Sequence, residues 1–283
     1  MSTGSSTDAL TPRTQYLDVP GGTVAFDDTR GSGRPVVLLP GMLDSRTVYR
    51  HLRPLLTAAG HRVITMDLRG FGDSSIAWDD YSPAALATDL LALLDHLDLD
   101  RATLVGNSYT GATVVRAAAT APHRAAGIVL VDAFIEVPPP GAVQRVLTKL
   151  LGSLVLNLPS TWGTYLNHAY PTRKPADFAA YRARMVTALR TPGRRQATRG
   201  YVTGDSSPLG WTQDVRCPAL VLMGTKDPDF PKPELVADRQ VAALTASAPR
   251  ARRVMIDGAG HYPMAEFPQA TADALLPFLG EVA

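Results

Sequence analysis

The sequence predicts an α/β protein whose core is a mostly parallel, eight-stranded sheet flanked by helices, with an inserted helical segment. Three observations predict this fold class. Short apolar runs alternate with helical patterns along most of the 283 residues, which is typical of a parallel sheet covered on both faces. A hairpin signal, Pro20-Gly21-Gly22, precedes the first parallel run. The alternation stops over residues 134–213, where longer helical patterns follow a proline-rich linker.

The strands and one helix can be located from hydrophobic periodicity and turn residues. A helix is predicted from Pro83 to about Leu97, because Ser82 is a good N-cap and proline is favoured at the first helical position. The predicted strands cover residues 15–19, 23–27, 35–40, 62–67, 102–107, 126–132, 218–224 and 252–257.

The insertion is predicted to contain helices of its own. Apolar residues at helical spacing indicate one helix over residues 143–155 and another over residues 178–189. The N-terminal residues are rich in Ser and Thr, which is typical of a disordered tail. The chain therefore divides into a disordered tail, a core domain in two segments and a helical insertion: 1–13, 14–133 with 214–283, and 134–213.

Composition excludes several classes of function. The formal net charge is +2, so no nucleic acid or other polyanion is implied as a partner. Cys217 is the single cysteine, which excludes an intramolecular disulfide. No apolar run has the length of a membrane span, and residues 1–14 lack the apolar stretch of a signal peptide. No metal-ligand spacing is present. We expect a cytoplasmic protein without metal or cofactor that acts on a small molecule, and the sequence gives no indication of oligomeric state.

The most informative motif is Gly106-Asn107-Ser108, which lies between an apolar strand and a helix of small residues. A serine at such a sharp turn presents its hydroxyl as a nucleophile. Small neighbours are required because the strand and helix backbones approach closely. Thr110 stands where the usual pattern has glycine, and Gly111 follows it. A purely structural role for Ser108 would be that of a loop serine that caps a helix.

A base and an acid follow later in the chain, each at the end of a predicted strand. His261 lies in a glycine-containing loop after the last strand, and Asp227 ends the strand before it. Open α/β sheets place functional groups at the carboxyl ends of their strands. Two further candidates for the acid are Asp229, two residues further on, and Asp132, which ends strand 126–132. A purely structural role for Asp227 would be a turn before Pro228.

The chain order Ser108, Asp227, His261 resembles that of the α/β-hydrolase fold family. The resemblance covers nearly the whole chain, from about Gln15 to the C-terminus, and rests on five motifs in the right order. These motifs are Leu38-Leu39-Pro40-Gly41, Asp67-Leu68-Arg69-Gly70-Phe71-Gly72-Asp73-Ser74, Gly106-Asn107-Ser108, Gly224-Thr225-Lys226-Asp227 and Gly260-His261.

The resemblance implies a role for each motif. Ser108 would be the nucleophile, His261 the general base and Asp227 the residue that orients the imidazole. The main-chain amides of Met42 and Tyr109 would stabilise the tetrahedral oxyanion. The insertion would be a cap that covers the substrate pocket. Candidate pocket residues are Leu43, Trp162, Tyr165, His168, Trp211 and Tyr262.

The leading hypothesis is a serine hydrolase that cleaves an ester, thioester or lactone of a small to medium apolar substrate through an acyl-enzyme on Ser108. No aspartate occupies position 108, which argues against epoxide hydrolase or haloalkane dehalogenase chemistry. Gly106-Asn107-Ser108 also resembles the motif of hydrolases that cleave a carbon–carbon bond of a vinylogous diketone, although those carry Trp where Tyr262 stands. The same scaffold also accommodates a cofactor-free perhydrolase, a natural-product cyclase or lyase, or a non-catalytic ligand-binding protein.

Overall fold

The structure, a computed structural model, describes residues 13–135, 158–203, 210–248 and 250–282. Eight strands form one sheet. They are β1 (Gln15–Val19), β2 (Gly22–Asp28), β3 (Pro35–Leu39), β4 (Arg62–Met66), β5 (Ala102–Asn107), β6 (Ala125–Val131), β7 (Ala219–Gly224) and β8 (Arg252–Ile256). Each predicted strand is present, and no strand end differs from its predicted position by more than one residue.

The strand order is β1-β2-β4-β3-β5-β6-β7-β8. β1 and β2 form the predicted antiparallel hairpin, and β2 also pairs antiparallel with β4. All other neighbouring strands run parallel. Every residue of β5 and of β7 is buried, as expected for strands covered on both faces. The predicted fold class is confirmed.

Helices cover both faces of this sheet. Those of the described ranges are α1 (Arg53–Ala58), α2 (Pro83–His96), α3 (Thr110–Thr120), α4 (Ser160–Ala169), α5 (Phe178–Leu189), α6 (Arg194–Thr203), α7 (Pro233–Thr245), α8 (Pro263–Glu266) and α9 (Pro268–Glu281), with short 3₁₀ turns at Arg46–Arg50, Pro122–Arg124 and Thr212–Asp214. None of them is long and apolar enough to cross a membrane. α2 packs on α3, and α3 and α7 cover β5 to β8, whereas α1 and α9 pack together on the other face.

The α2 helix begins as the sequence predicts. Ser82 has extended backbone angles, its side chain accepts a hydrogen bond of 3.3 Å from the amide of Ala85, and Pro83 is the first helical residue. The cap satisfies one of the amide donors that a helix N-terminus leaves without a partner. The helix ends at His96, one residue before the predicted end.

Within the described residues between β6 and β7, the chain forms the three helices α4 to α6. α5 buries Phe178, Tyr181, Met185 and Leu189, the apolar positions that predicted a helix over 178–189. The sequence did not predict α4 or α6, because both are rich in polar residues and are stabilised by packing on other elements. The helix predicted over 143–155 and nearly all of the predicted tail lie outside the described residues.

The crevice of the sheet lies between β3 and β5. β4 pairs with one side of β3 and β5 with the other. The chain leaves β3 towards α1 on one face and leaves β5 towards α3 on the opposite face. Because the two connections diverge, a crevice opens at the carboxyl ends of these strands, which is where open α/β sheets bind their ligands.

Candidate active site

Ser108 follows β5 at the mouth of this crevice and has a φ of +56°. Such an angle is uncommon for a residue other than glycine and is found at strained, functional positions. The conformation is held by main-chain hydrogen bonds on both sides. The Ser108 amide donates to the oxygen of Val131 (2.9 Å), and the Ser108 oxygen accepts from the amide of Gly111 (3.0 Å). The side chain is placed between a strand and a helix, as a nucleophile at this turn requires.

The small residues around Ser108 are required by close backbone contact. A Cβ atom on Gly106 would overlap the main chain of Thr110, and one on Gly111 would overlap the Cβ of Ala133. Thr110 itself is fully buried and fits because its hydroxyl lies against three main-chain oxygens, those of Leu39 (3.1 Å), Pro40 (3.0 Å) and Asn107 (2.9 Å). The threonine therefore adds a hydrogen-bonding link between the serine turn and the end of β3.

Asp227 and His261 are in direct contact. Asp227 Oδ2 lies 2.8 Å from His261 Nδ1, and both side chains are buried. A carboxylate can only accept a hydrogen bond, so Nδ1 carries the proton and Nε2 is left available as a base. Asp229 Oδ2 lies further from the same nitrogen, at 3.5 Å. The second oxygen of Asp227 accepts from the amide of Asp229 (2.9 Å), which fixes the orientation of the carboxylate.

The electrostatics of this pair favour its charged form. Burial alone would lower the pKa of His261, but the charges of Asp227 and Asp229 outweigh it and raise that pKa above its usual value. Burial alone would raise the pKa of Asp227, yet the adjacent imidazole holds it below its usual value. Opposite charges in contact stabilise each other's ionised state. The imidazolium that forms during proton transfer is therefore stabilised in advance.

The loop that carries His261 lies directly against the serine turn. Asn107 Nδ2 donates to the main-chain oxygen of His261 (3.3 Å) and to that of Val131 (3.0 Å). Within the described part of the chain, the side chains of Ser108 and His261 are not hydrogen-bonded to each other. Such catalytic hydrogen bonds are often long in the absence of substrate and tighten when it binds. The structure thus brings the predicted nucleophile and base to one place without closing the contact between them.

The loop after β3 passes beside Ser108. A Cβ atom built on Gly41 would lie 3.2 Å from the Cβ of Ser108 and 3.1 Å from Asn107 Oδ1. Met42, half-buried, and Leu43, fully buried with a φ of +61°, follow it. This close approach places the loop where an oxyanion donor is needed. The assignment of the Met42 and Tyr109 amides as those donors remains a prediction.

An ion-pair network holds the far end of the same loop. The guanidinium of buried Arg46 binds the carboxylates of Asp67, Asp27 (3.0 Å) and Asp73 (2.8 Å). Burial raises the pKa of Asp67 to about 6, although Arg46 acts against this. The segment around Asp67 therefore connects the loops after β3 and β4.

Asp44 and Tyr181 form a contact that the sequence does not predict. Both side chains are buried, and the Tyr181 hydroxyl of α5 donates to Asp44 Oδ2, while Oδ1 accepts from the Ser45 amide at 2.7 Å. Burial raises the pKa of Asp44 to about 6. A buried polar group needs a partner, but Tyr181 lies 137 positions away, so no local pattern could indicate the pairing.

Several predicted pocket residues surround His261. The rings of Trp162 and Tyr165 on α4 stack at 4.7 Å, and the Tyr165 hydroxyl donates to Asp229 Oδ2 (2.7 Å). The Tyr262 ring meets the imidazole edge-on at 5.2 Å. The main-chain amide of His261 also donates to the oxygen of Ala169, at the end of α4 (3.0 Å). The Trp162, Tyr165 and Tyr262 rings thus form an aromatic cluster beside His261.

Two predicted pocket residues are not brought to this site. His168 is exposed, because α4 buries Trp162, Gly163, Leu166 and Ala169 and His168 lies on another face of the helix. The Trp211 ring packs over the guanidinium of Arg116 on α3, at 4.8 Å. Trp211 lies near the amino end of β7. Because β7 runs parallel to β6, the chain has to return to the side of the sheet where the strands begin before β7 can start. The structure therefore places both residues away from His261.

The same carboxylates have the ligand types of a metal site. Asp227, Asp229 and His261 offer ligand atoms that all lie within 4.8 Å of one another. In the structure these atoms are engaged with each other, because His261 Nδ1 donates to Asp227 and Asp229 accepts from Tyr165. The arrangement is that of a hydrogen-bonded charge pair, and we assign no metal to it.

The sequence pattern of the alpha/beta hydrolase fold family matches residues 34–268. The chain belongs to this family. The epoxide hydrolase A of Mycobacterium tuberculosis (strain ATCC 25618 / H37Rv) is 27% identical over 95% of this chain and 97% of that protein. The dihydrolipoyllysine-residue acetyltransferase component of an acetoin cleaving system from Pseudomonas putida is 27% identical over 98% of this chain and 72% of that protein.

Solved structures agree with this assignment. A bromoperoxidase from Bacillus anthracis superimposes with a TM-score of 0.79 and 25% identity, covering 95% of this chain and all of that one (100%). Family membership and these relatives support an enzyme of the hydrolase class. The relatives differ in the bond they act on, so the substrate has to be inferred from the site itself.

Proposed function

We propose that this alpha/beta hydrolase is a serine hydrolase that cleaves an ester, thioester or lactone of a small to medium apolar substrate. The observation that carries the proposal is the buried Asp227–His261 pair, joined at 2.8 Å, beside a serine held at a φ of +56°. A nucleophile, a base and an orienting acid are the groups that acyl transfer to serine requires.

The proposed reaction has two halves. Ser108 Oγ attacks the carbonyl carbon while His261 Nε2 takes its proton. The tetrahedral intermediate collapses, His261 returns the proton to the leaving oxygen or sulfur, and the acyl group remains on Ser108. A water molecule, deprotonated by His261, then attacks the acyl-enzyme, and His261 returns the proton to Ser108 Oγ as the acid is released. Throughout, Asp227 holds the imidazole and stabilises its charged form.

The negative oxygen of each tetrahedral intermediate needs donors in place beforehand. We propose the main-chain amides of Met42 and Tyr109, since the Gly41 loop passes directly beside Ser108. Losing one such donor typically costs about 3 kcal/mol of barrier stabilisation. Amides fixed by the fold need no reorganisation when the charge develops.

We further propose that the insertion over 134–213 acts as a cap above the site. α4 contacts the base loop through Ala169 and the acid loop through Tyr165. α5 contacts the loop after β3 through Tyr181. Leu43, Trp162, Tyr165 and Tyr262 supply an apolar surround, which suits the uncharged acyl part of a substrate.

Turnover of short and medium p-nitrophenyl esters tests the proposal, together with a fluorophosphonate label located by mass spectrometry. We expect the label on Ser108, and we expect Ser108→Ala to lose both label and turnover while keeping its far-ultraviolet circular dichroism spectrum. Ser32→Ala is the matched control, because Ser32 is exposed in the loop before β3, at the opposite edge of the sheet. Ester turnover that survives Ser108→Ala would exclude the mechanism.

Perhydrolysis is the second candidate, favoured by the likeness to the bromoperoxidase. In that reaction hydrogen peroxide replaces water as the attacking group, so the acyl-enzyme is released as a peracid and Ser108 is regenerated. The two candidates share the triad and differ in the second nucleophile. Peroxide-dependent bromination of a halogen acceptor in acetate buffer, compared with ester hydrolysis at equal enzyme concentration, distinguishes them.

The epoxide hydrolase relative does not favour a third candidate, since Ser108 stands where the family resemblance would require an aspartate. An aryl epoxide in the same substrate panel checks this point. We expect no diol product above the uncatalysed rate.

A further inference from the structure

Asp132 is a buried acid that the proposed mechanism does not use. It follows β6 with a φ of +45°, and its side chain is fully buried. Its main chain is fixed by a hydrogen bond from its amide to the oxygen of Leu222 (2.9 Å). The side-chain Oδ1 accepts from the amide of Gly224 (2.9 Å), whereas Oδ2 has no hydrogen-bond partner. A buried, charged oxygen without a partner is costly, so this one needs an explanation.

The explanation lies on the neighbouring strand, at the end of β7. Asp132 and Asp227 follow the neighbouring strands β6 and β7, and the charged groups that act on the buried Asp132 carboxyl group are Asp227 and His261. Two carboxylates in contact can form a hydrogen bond only if one carries a proton. Like charges so close in a buried place cannot both be ionised.

The proton belongs to Asp132 rather than Asp227. Asp227 lies against the imidazole of His261 at 2.8 Å, which stabilises its negative charge. Burial and the charge of Asp227 together raise the pKa of Asp132 well above its usual value, and the charge of His261 and the Gly224 amide offset only part of this increase. Asp227 has lone pairs to spare, since its oxygens already accept from His261 and from the Asp229 amide and each can accept twice.

We infer that Asp132 is a positioning residue that works as a neutral carboxylic acid, donating its Oδ2 hydrogen to Asp227 and holding that carboxylate against His261. The inference rests on the proposed function, because the contact matters only if His261 is the base. It extends the hydrogen-bonded pair to three groups: the Asp132 carboxyl, the Asp227 carboxylate and the His261 imidazole. It also accounts for the unpartnered oxygen without a cation.

The variants Asp132→Asn and Asp132→Leu distinguish two roles for Asp132: a hydrogen-bond donor, or a side chain that only fills space in the core. The asparagine amide keeps both an acceptor for Gly224 and a donor for Asp227, whereas leucine has neither. We expect Asp132→Leu to lower kcat by on the order of ten- to a hundredfold, with KM little changed, because a misplaced catalytic group costs about that much. We expect the loss in Asp132→Asn to be several-fold smaller.

The dependence of kcat/KM on pH gives a second test, because a residue that only fills space would not change it. Above its raised pKa the wild-type Asp132 loses its proton and repels Asp227, so kcat/KM falls on an alkaline limb. Asp132→Asn cannot ionise, and we expect this limb to be absent. Equal losses in both variants, with the alkaline limb unchanged in Asp132→Asn, would overturn the inference.

Infrared spectroscopy tests the proton without relying on activity. At pH 8 in D₂O, we expect the wild type to show the carbonyl band of a protonated carboxylic acid that Asp132→Asn lacks. Asp44 and Asp67, whose pKa values are about 6, are ionised at this pH and do not contribute. A spectrum that Asp132→Asn leaves unchanged would overturn the inference even if Ser108 is the nucleophile. A lost band without any esterase activity would instead place the failure in the proposed function. If Asp132→Leu does not fold, the infrared carbonyl band and the alkaline limb of kcat/KM in Asp132→Asn still test the inference.

Discussion

The hydroxyl of Thr110 lies 3.0 Å from the main-chain oxygen of Pro40 and so connects the serine turn to the loop proposed to hold the oxyanion. It lies equally close to the oxygens of Leu39 and Asn107. The usual glycine could make none of these contacts. The departure from the family pattern at this position is thus compensated by the single hydroxyl hydrogen, which these oxygens share and which ties the ends of β3 and β5 together.

Thr110→Val tests this connection, since it keeps the side-chain shape and removes only the hydroxyl. We expect a loss of about 1 kcal/mol in the free energy of unfolding, measured by urea denaturation, and a lower kcat. Thr113→Val, on the same helix, is the matched control. The Thr113 hydroxyl is buried without a hydrogen-bond partner, so its removal should be neutral or stabilising. Equal effects at both positions would contradict the proposed link.

Gly41→Ala should reduce activity without unfolding the protein. The added methyl group would lie 3.2 Å from Ser108 Cβ and 3.1 Å from Asn107 Oδ1, so one of the two chains has to shift by a few tenths of an ångström. Because misplacing reacting groups by about 1 Å costs up to a hundredfold, we expect kcat for a p-nitrophenyl ester to fall roughly tenfold. Gly280→Ala, which meets nothing within 4 Å on α9, is the control and should match the wild type. An unchanged kcat in Gly41→Ala would show that this loop is not close to the reacting atoms.

Asp229 should set the pH at which the base becomes active. His261 has to be neutral to accept a proton, so kcat/KM rises as pH passes through its pKa. Asp229 contributes to the increase of that pKa. Asp229→Asn removes the charge while keeping an acceptor for Tyr165, so the acidic limb should move to lower pH. On that limb, kcat/KM of the variant should exceed the wild type by roughly three- to tenfold.

Tyr165→Phe is the control for this experiment, since it removes the hydrogen bond to Asp229 and leaves the charge in place. Its acidic limb should coincide with that of the wild type. A limb that moves in Tyr165→Phe but not in Asp229→Asn would mean that cap packing, and not charge, governs the pKa of His261.

The contact between Tyr181 and Asp44 should stabilise the protein in a pH-dependent way. Tyr181→Phe leaves a buried carboxylate short of a donor, which costs about 1–3 kcal/mol. The pKa of Asp44 in the fold, about 6, exceeds its unfolded value of 3.8, so its charged form opposes folding as pH rises through 6. The loss in Tyr181→Phe should therefore be larger at pH 8 than at pH 5, measured by urea denaturation at both.

Tyr170→Phe is the matched control, because the Tyr170 hydroxyl is buried without a hydrogen-bond partner. Its removal should cost nothing at either pH. A cost for Tyr181→Phe that does not depend on pH would indicate lost packing rather than lost support of the Asp44 charge.

The sequence by itself determined the sheet and the order of the site residues. Alternating apolar runs located all eight strands, because burial on both faces leaves a pattern in neighbouring residues. Ser108, Asp227 and His261 could be proposed as candidates because each follows a strand, and parallel strands bring their carboxyl ends to the same side of the sheet. These are properties of short segments and of topology rules, so they can be read from the chain alone.

Tertiary structure alone decided which polar groups meet. Asp44 pairs with Tyr181 across 137 positions, and Asp132 meets Asp227 only because β6 and β7 are neighbours in the sheet. Because only one face of α4 is buried, Trp162 lies inside the fold and His168 is exposed to solvent. Whether an acid is charged depends on its burial and on the charges beside it, and both arise from contacts between residues distant in sequence. The alternation of apolar and polar residues shows where a strand ends but not which side chain lies opposite its last residue.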